Sequence, residues 1–395
     1  MTTALSGIRV LDLSRVLAGP YCSMILGDLG AEVIKVEAPG GSDDTRTWGP
    51  PFQKGVSAYY LCANRNKKSI TVDLKTAEGQ AIIRELASRS DVLLHNFKTG
   101  SMEKFGLDYE SMSELHPALI YCSITGFGET GPYSHLPGYD FIIQAMSGLM
   151  AVTGTPQSGP QKTGVAISDI LTGLYAAIGI QAALLERQHT NKGQKIDLSL
   201  LDSAVSALVN IGSNFLMTGE EPTRMGNHHA NIAPYQMFKT KDGEVIVAVG
   251  NDRQFYHFCN AVQKPELSED PRFCTNAVRV KNREELTAIL QKTMEEKKTA
   301  YWLKICRDSQ IPIGPVHTLT DVVQDEQLMA RDMFVTANHP AAGPIRMVGS
   351  PLKLSGSSFR VNHAPPEPGE HTIEILNMLG YSREIIDEWK KKRII

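Results

Sequence analysis

The segment Gly164-Val-Ala-Ile-Ser-Asp169-Ile-Leu-Thr-Gly-Leu-Tyr-Ala-Ala-Ile-Gly179 sets a carboxylate at the start of a helix whose other residues are almost all small or apolar. Such a helix is apolar around most of its circumference and belongs inside a protein. A carboxylate in its first turn meets free backbone N–H groups and the positive end of the helix dipole, which hold it ionised. Two roles follow. The side chain can cap the helix, or, ionised and partly desolvated, it can attack a carbonyl as a nucleophile. Local sequence leaves both open.

Other chemistry-bearing patterns are weaker. Gly126-Phe-Gly128-Glu-Thr-Gly131 has the spacing of a dinucleotide fingerprint, which would make the chain a nucleotide-dependent oxidoreductase. That fingerprint needs a helix N-terminus directly after it to cradle a pyrophosphate. Here Pro132-Tyr-Ser-His-Leu-Pro137 follows, which reads as loop. In Gly154-Thr-Pro-Gln-Ser-Gly159-Pro-Gln-Lys162, Pro160 and Gln161 put the lysine out of register for a phosphate loop. No GxSxG elbow is present. Asn227-His228-His229 lacks a spaced third ligand, and the six cysteines form no CxxC, so no metal site is expected. Scattered cysteines in apolar context, such as Cys122, read as reduced core thiols of a cytoplasmic protein.

The elements that must position Asp169 alternate along the first half of the chain. Strands are expected at 8–13, 32–37, 69–74, 92–95 and 119–124, with helices at 22–29, 77–87, 102–107 and 109–115 between them. This βα alternation predicts an α/β fold, an open parallel-sheet, Rossmann-like large domain with ligands near the carboxyl ends of its strands. A helix is expected over 202–216. Composition shifts at 219–231, which reads as a linker into a smaller α+β domain. The expected division is a large domain of residues 1–218, rejoined by 332–395, and a linker plus small domain over 219–331. A final helix is expected over 371–379.

A chain of 395 residues with a net charge of −3, 42% hydrophobic and 21% charged residues is composed as a soluble globular protein. That balance gives no general attraction to nucleic acid or to anionic membrane. No unbroken run of 18 apolar residues occurs, so no membrane span is expected.

Several segments in order resemble the family III CoA-transferases, the group of formyl-CoA transferase and carnitine CoA-transferase. They are Gly7-Ile-Arg-Val-Leu-Asp-Leu13, Leu17-Ala-Gly-Pro20, Leu26 to Glu37, Asn64-Arg-Asn-Lys-Lys-Ser-Ile70, Ser123 to Gly128, Gly138-Tyr-Asp140, Ser168-Asp169 and Gly369-Glu-His-Thr372. The resemblance covers nearly the whole chain. It implies an interlocked homodimer, with no permanently bound cofactor and with coenzyme A entering as a substrate thioester.

By residue, the resemblance makes Asp169 the nucleophile. It places CoA against Val16, Leu17, Val72, Lys75, Asn96, Phe97, Lys98 and Lys104. The run Asp43 to Pro51 is similar to members that move CoA between small dicarboxylates such as succinate, glutarate and oxalate. On that likeness Arg46, Trp48, Tyr59, Tyr139 and Asp140 are expected to form the acyl pocket. Arg46 would hold the distal carboxylate, or alternatively bridge to Asp43 and Asp44 at the surface. The family also contains 2-methylacyl-CoA racemases, with a histidine where this chain has Tyr139. A phenol of pKa about 10 is a poor proton shuttle near neutrality, so transfer is the expected activity.

Overall fold

The computed structural model describes residues 3–395, which divide into two compact units. One takes the chain up to Leu149 together with Lys162–Leu208 and Glu326–Ile395, and the other takes Met150–Gln161 and Val209–Asp325. The second unit thus starts at Val209 rather than Gly219, ends at Asp325 rather than Arg331, and includes a segment that the sequence placed in the large domain. The helix expected over 202–216 is two helices, Leu200–Ser206 and Val209–Thr218. Val209 has a φ of 33°, a conformation that no right-handed helix runs through.

In the larger unit the strands are β1 (Arg9–Asp12), β2 (Glu32–Glu37), the short hairpin β3 (Phe52–Gln53) and β4 (Val56–Ser57), β5 (Lys67–Thr71), β6 (Val92–His95), β7 (Ile120–Thr125) and β8 (Lys195–Ser199). The main sheet has the order β5-β2-β1-β6-β7-β8, with every pairing parallel. The chain starts in the middle at β1, builds outward through β2 and β5, then returns to place β6, β7 and β8 on the other side. This reversal opens a crevice at the carboxyl ends of β1 and β6, where open α/β sheets take ligands.

Both faces of the sheet are covered, so β6 and β7 are mostly apolar on both sides, while β2 and β5 bury Lys35 and Lys67. Val10, Val33 and Leu94 pack with Cys22, Leu26, Ala176 and Ile180, while Leu11, Ile34 and Leu93 pack with Ile82, Leu86, Leu107 and Leu376. The first helix, Ala18–Asp28, begins before the expected Cys22. Pro20 lies in its first turn, where a missing N–H leaves no internal bond unmade.

The helix Ile167–Thr190 is long and apolar enough to cross a membrane, with a mean hydropathy of 1.4. Thr172, Gly173 and Gln181 interrupt its apolar run, so it contains no unbroken stretch of 18 apolar residues. It packs on the first helix and on β7 and β8, burying Ala176, Ala177, Ile180 and Ala183. Leu174, Tyr175, Ile178 and Leu185 on the same helix are exposed.

The smaller unit holds an antiparallel sheet of β9 (Tyr235–Lys239), β10 (Glu244–Ala248) and β11 (Ile313–Pro315) in the order β11-β10-β9. Helices Asp252–Ala261, Arg283–Glu295 and Thr299–Asp308 supply Phe255, Phe258, Leu290 and Trp302 to its core. The chain then contributes the hairpin β12 (Phe334–His339) and β13 (Gly343–Val348) to the larger unit. Two helices end it, Thr372–Leu379 and Arg383–Lys391, the second beyond the sequence expectation.

Candidate active site

A cleft lies at the switch point of the sheet. Arg15, Val16, Leu17 and Ala18 line it from the segment after β1, and Asn96, Phe97, Lys98 and Thr99 from the segment after β6. Ile124, Thr125 and Gly126 close it at the end of β7, with Pro137, Gly138, Tyr139 and Asp169 on the remaining wall.

Asp169 is the third residue of its helix, behind an N-cap at Ala166 that makes no side-chain cap bond, and among the described residues the Asp169 carboxylate accepts no backbone N–H. Asp140 does that work instead. Its Oδ1 accepts the Ser168 N–H at 2.9 Å, and its Oδ2 accepts from Gln144 Nε2 at 2.8 Å. Burial, and then the negative charge of Asp140, push the Asp169 carboxyl up from 3.8 to about 7. The expectation that the helix dipole holds Asp169 firmly ionised is therefore corrected. Desolvation and a like charge outweigh the dipole.

The start of the first helix meets this wall. Glycine at 173, one turn beyond Asp169, lets the two helices touch: a Cβ there would lie 2.7 Å from the carbonyl oxygen of Ala18. Leu17, the N-cap of the first helix, makes no side-chain cap bond. Among the described residues no acceptor takes the N–H groups of Leu17, Ala18 or Gly19. An uncapped helix N-terminus beside a carboxylate nucleophile can stabilise negative charge as it develops on an attacked carbonyl oxygen.

The expected CoA residues divide between two clefts. Val16, Leu17, Asn96, Phe97 and Lys98 line the cleft of Asp169. Phe97 also lines a second cleft with Val72, Lys75, Ala38 and Phe105. Lys104 lines neither, and is exposed in the turn Glu103–Phe105. The amide of Asn96 is already committed: Oδ1 accepts the Arg15 N–H at 3.0 Å and Nδ2 donates to the Arg15 carbonyl at 2.7 Å. These bonds fix the backbone of Arg15 at the cleft and leave Asn96 one further N–H and one further lone pair.

Arg46 is also corrected. Its Nε and Nη2 donate to the Glu37 carboxylate at 3.0 and 2.6 Å, and Nη2 reaches the Tyr60 hydroxyl at 2.7 Å. The guanidinium lies 3.7 Å from the Tyr60 ring centroid, and Arg46 lines neither cleft. Neither its expected role as carboxylate anchor nor a bridge to Asp43 and Asp44 describes this, because Glu37 at the end of β2 turns back to meet it. Trp48 packs edge-on against Tyr59 with centroids 5.2 Å apart. Burial raises the Tyr59 hydroxyl to about 12, and the charge of Asp169 adds to the rise. Tyr59 does not line the cleft of Asp169, whereas Tyr139 lies on its wall, 58% exposed.

Sequence reasoning missed Arg15 and Asp44, which line the same cleft and pair loosely at 3.4 Å. Their only signal was position after β1 and β2. The first glycine of the fingerprint has a packing role: a Cβ on Gly126 would lie 2.6 Å from the Cα of Gly138, so these two glycines let their loops touch. Gly128 and Gly131 instead take positive φ, 86° each, as turn glycines do.

The fold thus sets a desolvated aspartate in a cleft at the switch point of a parallel sheet. The chain belongs to CoA-transferase family III, whose sequence pattern it matches over residues 5–372. It is 46% identical over 387 residues to the succinyl-CoA:glutarate CoA-transferase of Mus musculus, covering 97% of this chain and 88% of that protein. To the succinate–glutarate CoA-transferase of Agrobacterium fabrum it is 44% identical, covering 94% of each. A crystal structure of a CAIB/BAIF family protein from Brucella suis superposes with a TM-score of 0.84 at 45% identity, over 96% of this chain and all of that one.

Proposed function

We propose that the protein moves CoA between an acyl-CoA and a short dicarboxylic acid, with Asp169 as the nucleophile. The observation that carries this reading is the Asp169 carboxylate in the switch-point cleft, beside the free N–H groups of the first helix. One oxygen of Asp169 attacks the thioester carbonyl. The carbon–sulfur bond breaks, giving an aspartyl–acyl mixed anhydride and CoA thiolate. The thiolate attacks the aspartyl carbonyl, releasing the donor carboxylate and leaving an enzyme–CoA thioester. The acceptor carboxylate reverses both steps and departs as the new acyl-CoA, regenerating Asp169. Thioester is exchanged for thioester, so the cycle consumes no nucleotide.

The two relatives named for succinate and glutarate support a dicarboxylate substrate. Arg15 and Lys98 are the cations lining the cleft. Phe97, shared by both clefts, fits a CoA molecule extended from one into the other. The exposed apolar residues of the Asp169 helix support a homodimer in which a second copy covers them. Supplying succinyl-CoA with a panel of mono- and dicarboxylates, and identifying new CoA esters by mass spectrometry, tests the assignment. Glutaryl-CoA or a similar dicarboxylate ester is expected. Transfer confined to monocarboxylates would refute the substrate class.

A further inference from the structure

Between the end of β1 and the first helix, every backbone polar group from the Ser14 N–H to the Val16 N–H is held by a side chain. Asp12 Oδ1 accepts the Ser14 N–H at 2.9 Å, and Lys35 Nζ donates to the Ser14 carbonyl at 2.9 Å. Asn96 takes both the N–H and the carbonyl of Arg15. Asp43 Oδ1 accepts the Val16 N–H at 3.1 Å, while its Oδ2 lies 2.8 Å from Lys35 Nζ. Val16 has a φ of 71°, which strains a β-branched residue and persists only where its surroundings impose it. Ser14 folds back over the first helix so closely that a Cβ on Gly19 would lie 2.3 Å from the Ser14 Cβ.

The side chains of Lys35 and Asp43 are both 0% exposed. A fully buried ion pair is often no more stabilising than apolar residues of the same shape, so stability alone is a weak reason for it. Resting on the assignment of Asp169 as nucleophile, we propose that the Lys35–Asp43 pair positions the reaction. It holds the Ser14–Val16 bend that presents the free N–H groups of Leu17 and Ala18 to the carbonyl oxygen under attack. Lys35 and Asp43 touch no substrate in this account. They act through the backbone of Val16, with Asn96 gripping the same bend from the β6 side.

Replacing the pair by apolar residues, Lys35→Met with Asp43→Leu, separates the two roles. The fold is retained, yet rapid-quench intact mass shows the enzyme–CoA thioester forming about 10²-fold more slowly, as when a donor to a developing oxyanion is misplaced. KM for succinyl-CoA changes little. Adding Val16→Gly, which adopts this φ without strain, recovers much of the lost rate. Leu86→Ala, an unrelated core truncation, lowers Tm without slowing the thioester step. Should the double replacement not fold, Asn96→Ala releases the bend at Arg15 and slows the same step, while Asp43→Ala is compared with and without Val16→Gly. Thioester formation at the wild-type rate in folded variants, or a slow rate that Val16→Gly does not improve, overturns the proposal. The wild-type protein is the internal control: absence of its own aspartyl–CoA adduct means instead that the assignment of Asp169 has failed.

Discussion

Asp140 accepts the N–H of Ser168 at 2.9 Å, placing a second carboxylate one residue from Asp169. The contact caps the helix that carries Asp169, and, after burial, the same charge helps to lift the Asp169 carboxyl to about 7. Only the ionised form attacks, so the rate of enzyme–CoA thioester formation should rise with pH through about 7 and level off above it. Asp140→Asn keeps an acceptor for Ser168 but removes the charge. Its pH profile should shift to lower pH, measured by single-turnover kinetics at saturating succinyl-CoA. An unshifted inflection means that burial alone sets the Asp169 value.

Asp169→Asn links function to stability. The folded-state value of about 7 lies above the ordinary 3.8, so the folded protein binds this proton more tightly than the unfolded chain. The resulting stability is fully present below about pH 3.8 and is lost as pH rises through about 7. Asparagine cannot ionise. The variant should therefore melt at the wild-type temperature near pH 4 and several degrees higher above pH 7, by calorimetry, while losing transfer by at least about 10³-fold.

Arg46→Met should act through stability. It strands Glu37, which is nearly fully buried and ion-paired at 2.6 Å, at a cost on the order of 3 kcal/mol. Turnover with dicarboxylate and monocarboxylate acceptors should fall by the same factor, and urea unfolding should report the loss. A selective loss with dicarboxylates alone would restore the carboxylate-anchor role.

Gly126→Ala should cost activity more than its size suggests. The added methyl would meet the backbone of Gly138 at 2.6 Å, and the loop that yields carries Tyr139 and Asp140. Reduced kcat with a lowered Tm is the expected result, read from steady-state kinetics and thermal melts. Unchanged kinetics would show that the loop yields without moving Asp140.

The alternation of strands with helices made the parallel sheet legible, because central strands buried on both faces, such as β6 and β7, carry nearly continuous apolar runs. The small-residue helix pointed to Asp169 for the same reason: Gly173 and Ala176 pack closely, and that requirement is written in residue type. Long-range pairing was not legible. Nothing local to Arg46 reveals that Glu37 folds back onto it, and Asp43 and Asp44 look alike in sequence although one is buried against Lys35 and the other lines the cleft. The role of Asp140 was likewise hidden, since its capped partner lies 28 residues away. Helix limits shifted where a terminus tolerates Pro20 or a left-handed Val209 breaks the chain, and neither effect follows from periodicity.

Covalent catalysis at Asp169 is open to direct chemical test. The most direct measurement is hydroxylamine trapping of the wild-type protein with and without succinyl-CoA, followed by peptide mass spectrometry. A hydroxamate is expected at Asp169 only when the acyl-CoA is present. Full transferase turnover with Asp169 unlabelled, or substantial turnover by a folded Asp169→Ala protein, would contradict it.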